Sequence, residues 1–510
     1  MINKAETPFS LNIPMITLCV MMATVMQVLD TTIANVALPH MQGSLSATQD
    51  QITWVLTSYI VASAIMTPAT GWLVGRWGRK KIFLLSIAGF TSASFLCGIA
   101  QSMEEMVIFR LLQGVFGAAL VPISQSTLFD INPPEKHGSA MALWGMGIMI
   151  GPILGPTLGG YLTEYYDWRW VFYINLPIGI LSFLGISIYL PDTARENRPF
   201  DISGFICLSF TLASLQLMLD RGEQVDWFSS IEIWIYVAVM CGAFWIFLVH
   251  VRTAIDPFLT LSIFKDLNFV AGLILIFFVG VVLLATMALL PPYMQNIMGY
   301  QVVDVGILMA PRGVGTMIAM MIVGKLTNKV DARAMILLGL SLTAISLWEM
   351  AEFNTFVPEF NIIRSGVTQG LGIGFIFVPL STVAFATLPP NLRTEGASLF
   401  SLLRNLGSSI GVSYVTALLS QNTQINHSYL GESITETSLF QALSMLPDAQ
   451  QILSPTGLGL INTEVTKQAA TIAYLNDFKL MMWLTLAIIP LLFFLRKPTR
   501  KISKPDIHME

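Results

Sequence analysis

Asp30, Arg110 and Gln113 are charged or strongly polar side chains set inside runs otherwise apolar enough to lie in lipid. In QVLDTTIANVALP, Gln27 to Pro39, the residues Gln27, Asp30, Thr31 and Asn35 recur at i, i+3, i+4 and i+8, which places them along one side of a helix. A carboxylate at bilayer depth costs about 2.5 kcal/mol or more unless it faces a protein interior or a wet cavity. Asp30 lies eight residues from the outer end of its run, about 12 Å deep at 1.5 Å per residue. Two chemistries suit it: a hydrogen-bonded carboxylate that holds helices together, or one that gains and loses a proton during a working cycle. Desolvation favours the neutral form and so brings proton exchange within reach. Arg110, in RLLQG, stays charged and cannot shuttle a proton itself. It can hold a nearby carboxylate ionised and release it when helices move, or act as a plain interhelical clamp. Gln27, Thr31, Asn35, Gln113 and Gln369 are candidate substrate-lining residues. Arg364 reads as the counterpart of Arg110 in the second half, and it is assigned with Arg312 and Arg404 to structural and gating roles.

These residues need a membrane scaffold, and composition supplies one. The chain has 510 residues, 54% hydrophobic and 11% charged, where soluble domains carry roughly 25% charged residues. Its mean hydropathy is +0.68. The first apolar run, Pro14 to Leu38, is 25 residues long, too long for the h-region of a cleavable signal. Fourteen runs are long enough to cross about 30 Å of hydrocarbon. The fold class expected is an all-α polytopic membrane protein. With the N-terminus inside, 19 of the 27 basic residues fall in cytoplasmic segments, and the even number of spans returns the C-terminus to that side. The four cysteines are scattered through apolar runs, without metal-ligand spacing, and none of the five histidines lies deep in a span. No GxxxxGK[ST] loop is present. ATP-driven transport in this chain is therefore not expected, and an ion gradient remains as the energy source, with no bound cofactor and no nucleic-acid partner.

The chain repeats itself. VALPHMQ resembles ALLPPYMQ with Pro39 and Pro291 252 residues apart; GWLVGRWGRK resembles GKLTNKVDAR with Gly71 and Gly324 253 apart; Gly114 and Gly370 are 256 apart within FRLLQGVFGAALVPISQ and IRSGVTQGLGIGFIFVPLS. The expected organisation is a six-helix bundle over 1–200, an inserted helix pair over 201–268 and a second six-helix bundle over 269–510. The last includes a polar external segment, 421–478, which reads either as a flexible loop or as a docking element. Between spans two and three, GRWGRKK places Arg76 and Arg79 where they could tie helix ends together in one conformation. In span five, Gly147, Gly151, Gly155 and Gly159 recur every four residues and make a smooth face for close helix approach, with Pro152 adding a bend. Glu349 and Glu352 read as a wet helix end or as a second acidic site.

The motifs LDTTIANVALP, GWLVGRWGRKK, FRLLQGVFGAA, GPILGPTLGG, WRWVFYINLPIG, PRGVGT and SLLRNLGSSIG together resemble the major facilitator superfamily, and within it the fourteen-span drug:proton antiporters that include EmrB-type multidrug efflux pumps. The resemblance covers essentially the whole chain. One position departs from it: the loop signature normally carries Asp where this chain has Gly75. The resemblance implies a major facilitator fold of 14 transmembrane helices, two six-helix bundles plus an inserted pair, in the bacterial inner membrane. It implies alternating access that exports apolar or amphipathic toxic compounds, cationic drugs among them, in exchange for protons, with Asp30 and Arg110 coupling the two fluxes. It also implies a periplasmic EmrA-type adaptor and a TolC-type outer-membrane channel as partners, with the 421–478 segment as the expected contact. A dedicated exporter of one metabolite or siderophore, a proton-coupled importer and a non-transporting membrane scaffold are the competing readings. The span-five motif argues against import.

Overall fold

A computed structural model describes residues 12–193, 195, 199–327, 329–432, 434 and 455–495, and every regular element among them is helical. The first six crossings are α1 (Ile13–Ser44), α2 in two pieces (Trp54–Met66 and Thr70–Trp77), α3 (Arg79–Ile99), α4 in two pieces (Met103–Gly117 and Leu120–Ile131), α5 (His137–Tyr165) and α6 (Asn175–Tyr189). They are followed by α7 (Ile202–Arg221), α8 (Ile231–Thr253), α9 (Leu267–Pro292), α10 (Val302–Leu326), α11 (Ala332–Ala351), α12 (Glu359–Ala386), α13 (Arg393–Glu432) and α14 (Pro455–Ala487). Twelve helical stretches among the described residues are long and apolar enough to cross a bilayer. The divided α2 and the more polar α13 complete fourteen. Proline explains both divisions: Pro68 and Pro122 each remove a backbone donor at the break.

The glycine stripe of α5 finds its partner in α1. Gly147 faces Met21, Gly151 faces Val28, Gly155 faces Thr32 and Gly159 faces Ile33. The approach is close enough for the Thr32 hydroxyl to donate to the Gly151 carbonyl at 3.0 Å. Pro152 lies within α5, and its side chain falls outside the described residues. The stripe thus binds the Asp30 helix to its own bundle, while the contact between the two halves uses other glycines. Gly138 meets Thr327, Gly145 meets Met320 and Gly313 meets Ile153, all between α5 and α10, and Ser139 donates to the Gly324 carbonyl at 3.2 Å.

The inserted pair is less embedded. α7 packs on α8, on the first piece of α2 and on α13, where Ser413 donates to the Leu219 carbonyl at 2.9 Å. α8 leaves Trp234, Ile235, Trp245 and Ile246 exposed, as suits a lipid-facing helix. Asp201 caps α7, accepting from the Gly204 and Phe258 amides at 2.8 and 3.0 Å, with His250 Nε2 at 2.8 Å. Burial alone would raise the Asp201 pKa; those donors outweigh it and hold the carboxyl below the usual carboxylate range.

The external segment is a loop only in part. α13 runs on to Glu432, and α14 begins at Pro455 instead of near Lys479. A helix of 40 residues is about 60 Å long, twice the hydrocarbon thickness, so α13 projects well beyond the bilayer. Hydropathy missed these extensions because they lie in water, where polar residues can be helical. Their seam is marked by Asn426, which donates to the Ala469 carbonyl at 3.4 Å, and by His427 Nε2, 3.0 Å from Asn462 Oδ1. TEVTKQAATIAYL falls within α14, whereas SLFQALSML lies outside the described residues.

A β-carbon at Gly151 would sit 2.6 Å from Val28 Cγ1 and 2.9 Å from the Val28 carbonyl carbon, so the backbone itself would have to shift. Gly151→Val is expected to destabilise the protein by about 1–3 kcal/mol, read as an earlier thermal unfolding transition in detergent. Gly160→Ala, where nothing lies within 4 Å, should leave that transition in place.

Candidate functional site

Asp30 is completely buried where α1, α4 and α6 meet. Its Oδ2 accepts from Arg110 Nη1 at 2.7 Å, and its Oδ1 accepts from Gln113 Nε2 at 2.8 Å and from Asn175 Nδ2 at 2.7 Å. Arg110, also fully buried, donates through Nε to the Val55 carbonyl at 3.1 Å and through Nη1 to Gln113 Oε1 at 2.7 Å. Its guanidinium carbon lies 4.7 Å from the Tyr59 ring centre and 5.5 Å from that of Phe172. Asn175 also donates to Ser94 Oγ at 3.0 Å, and Ser94 donates to the Phe172 carbonyl at 2.9 Å. Gly114 makes room for this, since a β-carbon there would press on the Tyr59 carbonyl. Two orphan atoms remain in the cluster, Arg110 Nη2 and Asn175 Oδ1.

The polar stripe of α1 divides. Asp30 turns into the first bundle, whereas Gln27 is half-buried and donates to the Tyr59 hydroxyl at 3.0 Å. Thr31 bonds back to the Val28 carbonyl at 2.8 Å, and Asn35 is exposed. The four positions span roughly 140° of the helix, enough to face different surroundings. Gln113 belongs with Asp30 and not with a lining surface, because it is fully buried and both ends of its amide are engaged. Sequence reasoning did not select Asn175, Ser94 or Tyr59. Asn175 had a signal, an amide inside the apolar run VFYINLPIG; the other two are ordinary residues in membrane helices.

The second half repeats the backbone without the chemistry. Gln369 matches Gln113; it is fully buried and donates to Thr286 Oγ1 at 3.2 Å. Counted from that glutamine, the position of Arg110 is occupied by Gly366, not Arg364. Arg364 lies two residues earlier, about 200° around the helix, and its half-exposed side chain pairs with Glu349 at 3.3 Å. Arg312 is 6% exposed and donates to the Leu283 carbonyl at 3.3 Å. Arg404 is half-buried, without a hydrogen bond or ion pair among the described residues.

A second polar cluster closes the end of the bundle at which α1 begins. Asp130, at the end of α4, accepts from Arg79 Nη2 at 2.5 Å and from Arg393 Nη1 at 2.8 Å, so one carboxylate joins the first half to α13. Thr394 donates to Ser126 Oγ at 3.3 Å, and Gly71 lies against Glu395. Phe129, Phe385 and Phe400 fill the space beneath, with ring centres 5.0 and 5.5 Å apart in sequence. Arg79 therefore ties helices together, while Arg76 is exposed with no such contact among the described residues. Gly78 makes the turn before Arg79 at φ +88°. With Gly75 in the usual Asp position, the loop arginine takes its carboxylate from α4.

The family model described as Major Facilitator Superfamily matches residues 20–412. The chain belongs to that superfamily. Among its relatives, it is 36% identical over 492 residues to the multidrug export protein EmrB of Escherichia coli (strain K12), covering 94% of this chain and 95% of that protein. It is 36% identical to the fatty acid resistance protein FarB of Neisseria gonorrhoeae, covering 95% and 96%, and 33% identical to the probable multidrug resistance protein EmrY of E. coli (strain K12), covering 95% of each. The fold also resembles solved structures of a double-tryptophan XylE mutant (TM-score 0.61, 13% identity, 94% of this chain and 98% of that one) and of the human organic anion transporter MFSD10 (0.59, 15%, 94% and 100%). The chain is thus a multi-pass membrane protein of a transporter superfamily. A charge bridge between the halves at one end favours the arrangement closed there.

Removing the Asp130 charge should loosen that closure. A partly exposed pair is worth about 1 kcal/mol, so Asp130→Asn is expected to shift the population by roughly fivefold. Labelling of a Thr394→Cys reporter, on a background lacking the four native cysteines, by a water-soluble maleimide on the purified protein in nanodiscs reads the change.

Proposed function

We propose that this chain is a proton-coupled antiporter that exports hydrophobic or amphipathic toxic compounds across the inner membrane by alternating access. The observation that carries the reading is the buried Asp30 carboxylate, held by Arg110, Gln113 and Asn175 at the junction of α1, α4 and α6. Names of relatives such as EmrB and EmrY support multidrug export as the activity. The gradient supplies the work, and no bound cofactor or catalytic step is needed.

The coupling follows from electrostatics. An ionised Asp30 is stabilised by its three donors, and withdrawing Arg110 from it strands a buried charge at a cost of about 3–5 kcal/mol. Protonation removes the carboxylate's share of that cost, and the Val55 carbonyl and Gln113 Oε1 remain as acceptors for the guanidinium. A proton arriving from outside therefore frees Arg110 and α4 to move against α1, and its release inward restores the pair. The bundles of 1–200 and 269–510 rock about the α5–α10 contact, with 201–268 carried along, and the end sealed by Arg79, Asp130 and Arg393 is cytoplasmic, as are both termini. Gln27, Thr31 and Asn35, which stay outside the carboxylate cluster, remain the residues proposed to meet substrate. The projecting parts of α13 and α14 are proposed to meet an EmrA-type periplasmic adaptor, which would lead to a TolC-type channel.

In inside-out vesicles with an imposed pH gradient, Asp30→Asn is expected to abolish gradient-driven accumulation of a fluorescent dye to the level of vesicles lacking the protein, while dye binding to the purified variant persists. Accumulation at the wild-type rate would remove Asp30 from the coupling step.

A further inference from the structure

Two carboxylates are shut away from water among the described residues, Asp30 at 0% exposure and Asp477 at 1%. They are held in opposite ways. Asp30 accepts from three donors. Asp477, in α14, has no hydrogen bond or ion pair among the described residues, and its Oδ2 is a buried orphan. An ionised carboxylate without a donor is costly to bury, whereas the neutral acid is far less so. The surroundings of Asp477 are therefore suited to a proton.

Its neighbours on α14 show which way it faces. Ala473, Tyr474, Phe478 and Met481, at i−4, i−3, i+1 and i+4, are all buried, so this side of the helix is turned into the bundle. Tyr474 and Phe478 close on Tyr293, with ring centres 5.4 and 6.3 Å from its own, at the turn that follows α9. α11 and α13 also pack on α14. None of these elements brings a compensating charge. α9 has no ionisable side chain, and α13 has only the exposed Tyr414 between Arg404 and His427. At the end of α11, Glu349 is paired with Arg364 at 3.3 Å and Glu352 is exposed. The Tyr293 hydroxyl is donated to the Asn354 carbonyl at 2.8 Å. Asp477 lies eight residues inward of Ala469, whose carbonyl accepts from Asn426 of α13, about 12 Å along the helix. It thus stands at the root of the projecting α13–α14 pair, where that pair meets the second bundle.

We propose that Asp477 is a proton-binding site at the root of the projecting helices: its neutral form seats α14 on α9, α11 and α13, and its ionised form releases the base of α14 so that water reaches the carboxylate. The linkage has a definite sign. The seated form binds the proton more tightly, so seating is complete in acid and is lost as pH rises through the titration of the buried carboxyl. On the orientation proposed above, the proton comes from outside, and the segment it controls projects on that side. The site is independent of Asp30, which belongs to the other bundle and has its own donors, and of the export reading.

The test is amide hydrogen–deuterium exchange over residues 457–478 of the purified full-length protein in nanodiscs, read at about pH 5.5 and about pH 8.5, which bracket the range in which buried carboxyls titrate. Wild type and variants are compared at the same pH, so the intrinsic chemistry of exchange cancels. Asp477→Asn keeps the shape of the neutral acid and cannot ionise. It is expected to match wild type in acid and to exchange about tenfold or more slowly than wild type in base. Asp477→Leu, equally unable to ionise, should show the same slow exchange in base. His427→Gln should keep the full wild-type response, because His427, beside Asn462 further out on the same pair of helices, is the other group there that titrates near neutrality. Identical exchange in wild type and Asp477→Asn at both pH values would overturn the proposal. So would a difference of the same size at both, which marks packing alone, or loss of the response in His427→Gln. No gradient or substrate is used, so a failure of proton coupling at Asp30 leaves the outcome intact.

Discussion

Everything in the first half is arranged around one buried ion pair. A carboxylate and a guanidinium deep in a membrane protein are tolerable only if nearly every lone pair and N–H finds a partner. Asp30 and Arg110 reach that condition through Gln113, Asn175, Ser94 and the Val55 carbonyl, which come from α2, α3, α4 and α6. The helices cannot drift apart without stranding a charge. The α1 backbone must also lie close to its neighbours, which the α5 glycines permit and which the Thr32 bond to Gly151 records. The glycine stripe and the ion pair are therefore two parts of one constraint, fixing α1 from opposite sides.

The second half shows what the same backbone does once that pair is absent. Glutamines recur at 113 and 369 and glycines follow at 114 and 370, so the helix packing repeats. Yet Gly366 stands where Arg110 would be, and the arginine has moved to α10 as Arg312, where Tyr59 would be. One half has a self-contained, charge-neutral cluster; in the other, Arg312 has one carbonyl at 3.3 Å and no carboxylate pairs with it among the described residues.

Much of this was legible in the sequence, because membranes make the signal strong. Fourteen apolar runs, the repeat and the intramembrane Asp30 and Arg110 stand out where charges are rare. The failures have specific causes. The α1 stripe was read as one face, but helical spacing gives an angular spread and not a neighbour, so Asp30 parts from Asn35. Arg364 was aligned by residue type, whereas the register set by Gln369 and Gly370 turns it outward to Glu349. Asn175 carried too weak a contrast to be chosen, although it completes the carboxylate's coordination. The helices beyond 421 and before 478 lie outside the lipid, where hydropathy has no power to detect them.

The two polar clusters share a helix, and that gives the architecture its direction. α4 carries Arg110 near one end and Asp130 at the other, about 30 Å apart at helical rise. Between them the helix is divided after Gly117, where Pro122 withholds a backbone donor. The upper piece is gripped by Asp30 and by the α2 backbone at Tyr59; the lower piece is gripped by Arg79 and, across the halves, by Arg393. A change in the grip on Arg110 therefore acts on a segment whose far end holds the closure between bundles. The proline break is the one place along α4 where the helical ladder does not resist such a displacement. One helix divided at a proline break thus touches both the buried carboxylate cluster and the closure between the halves.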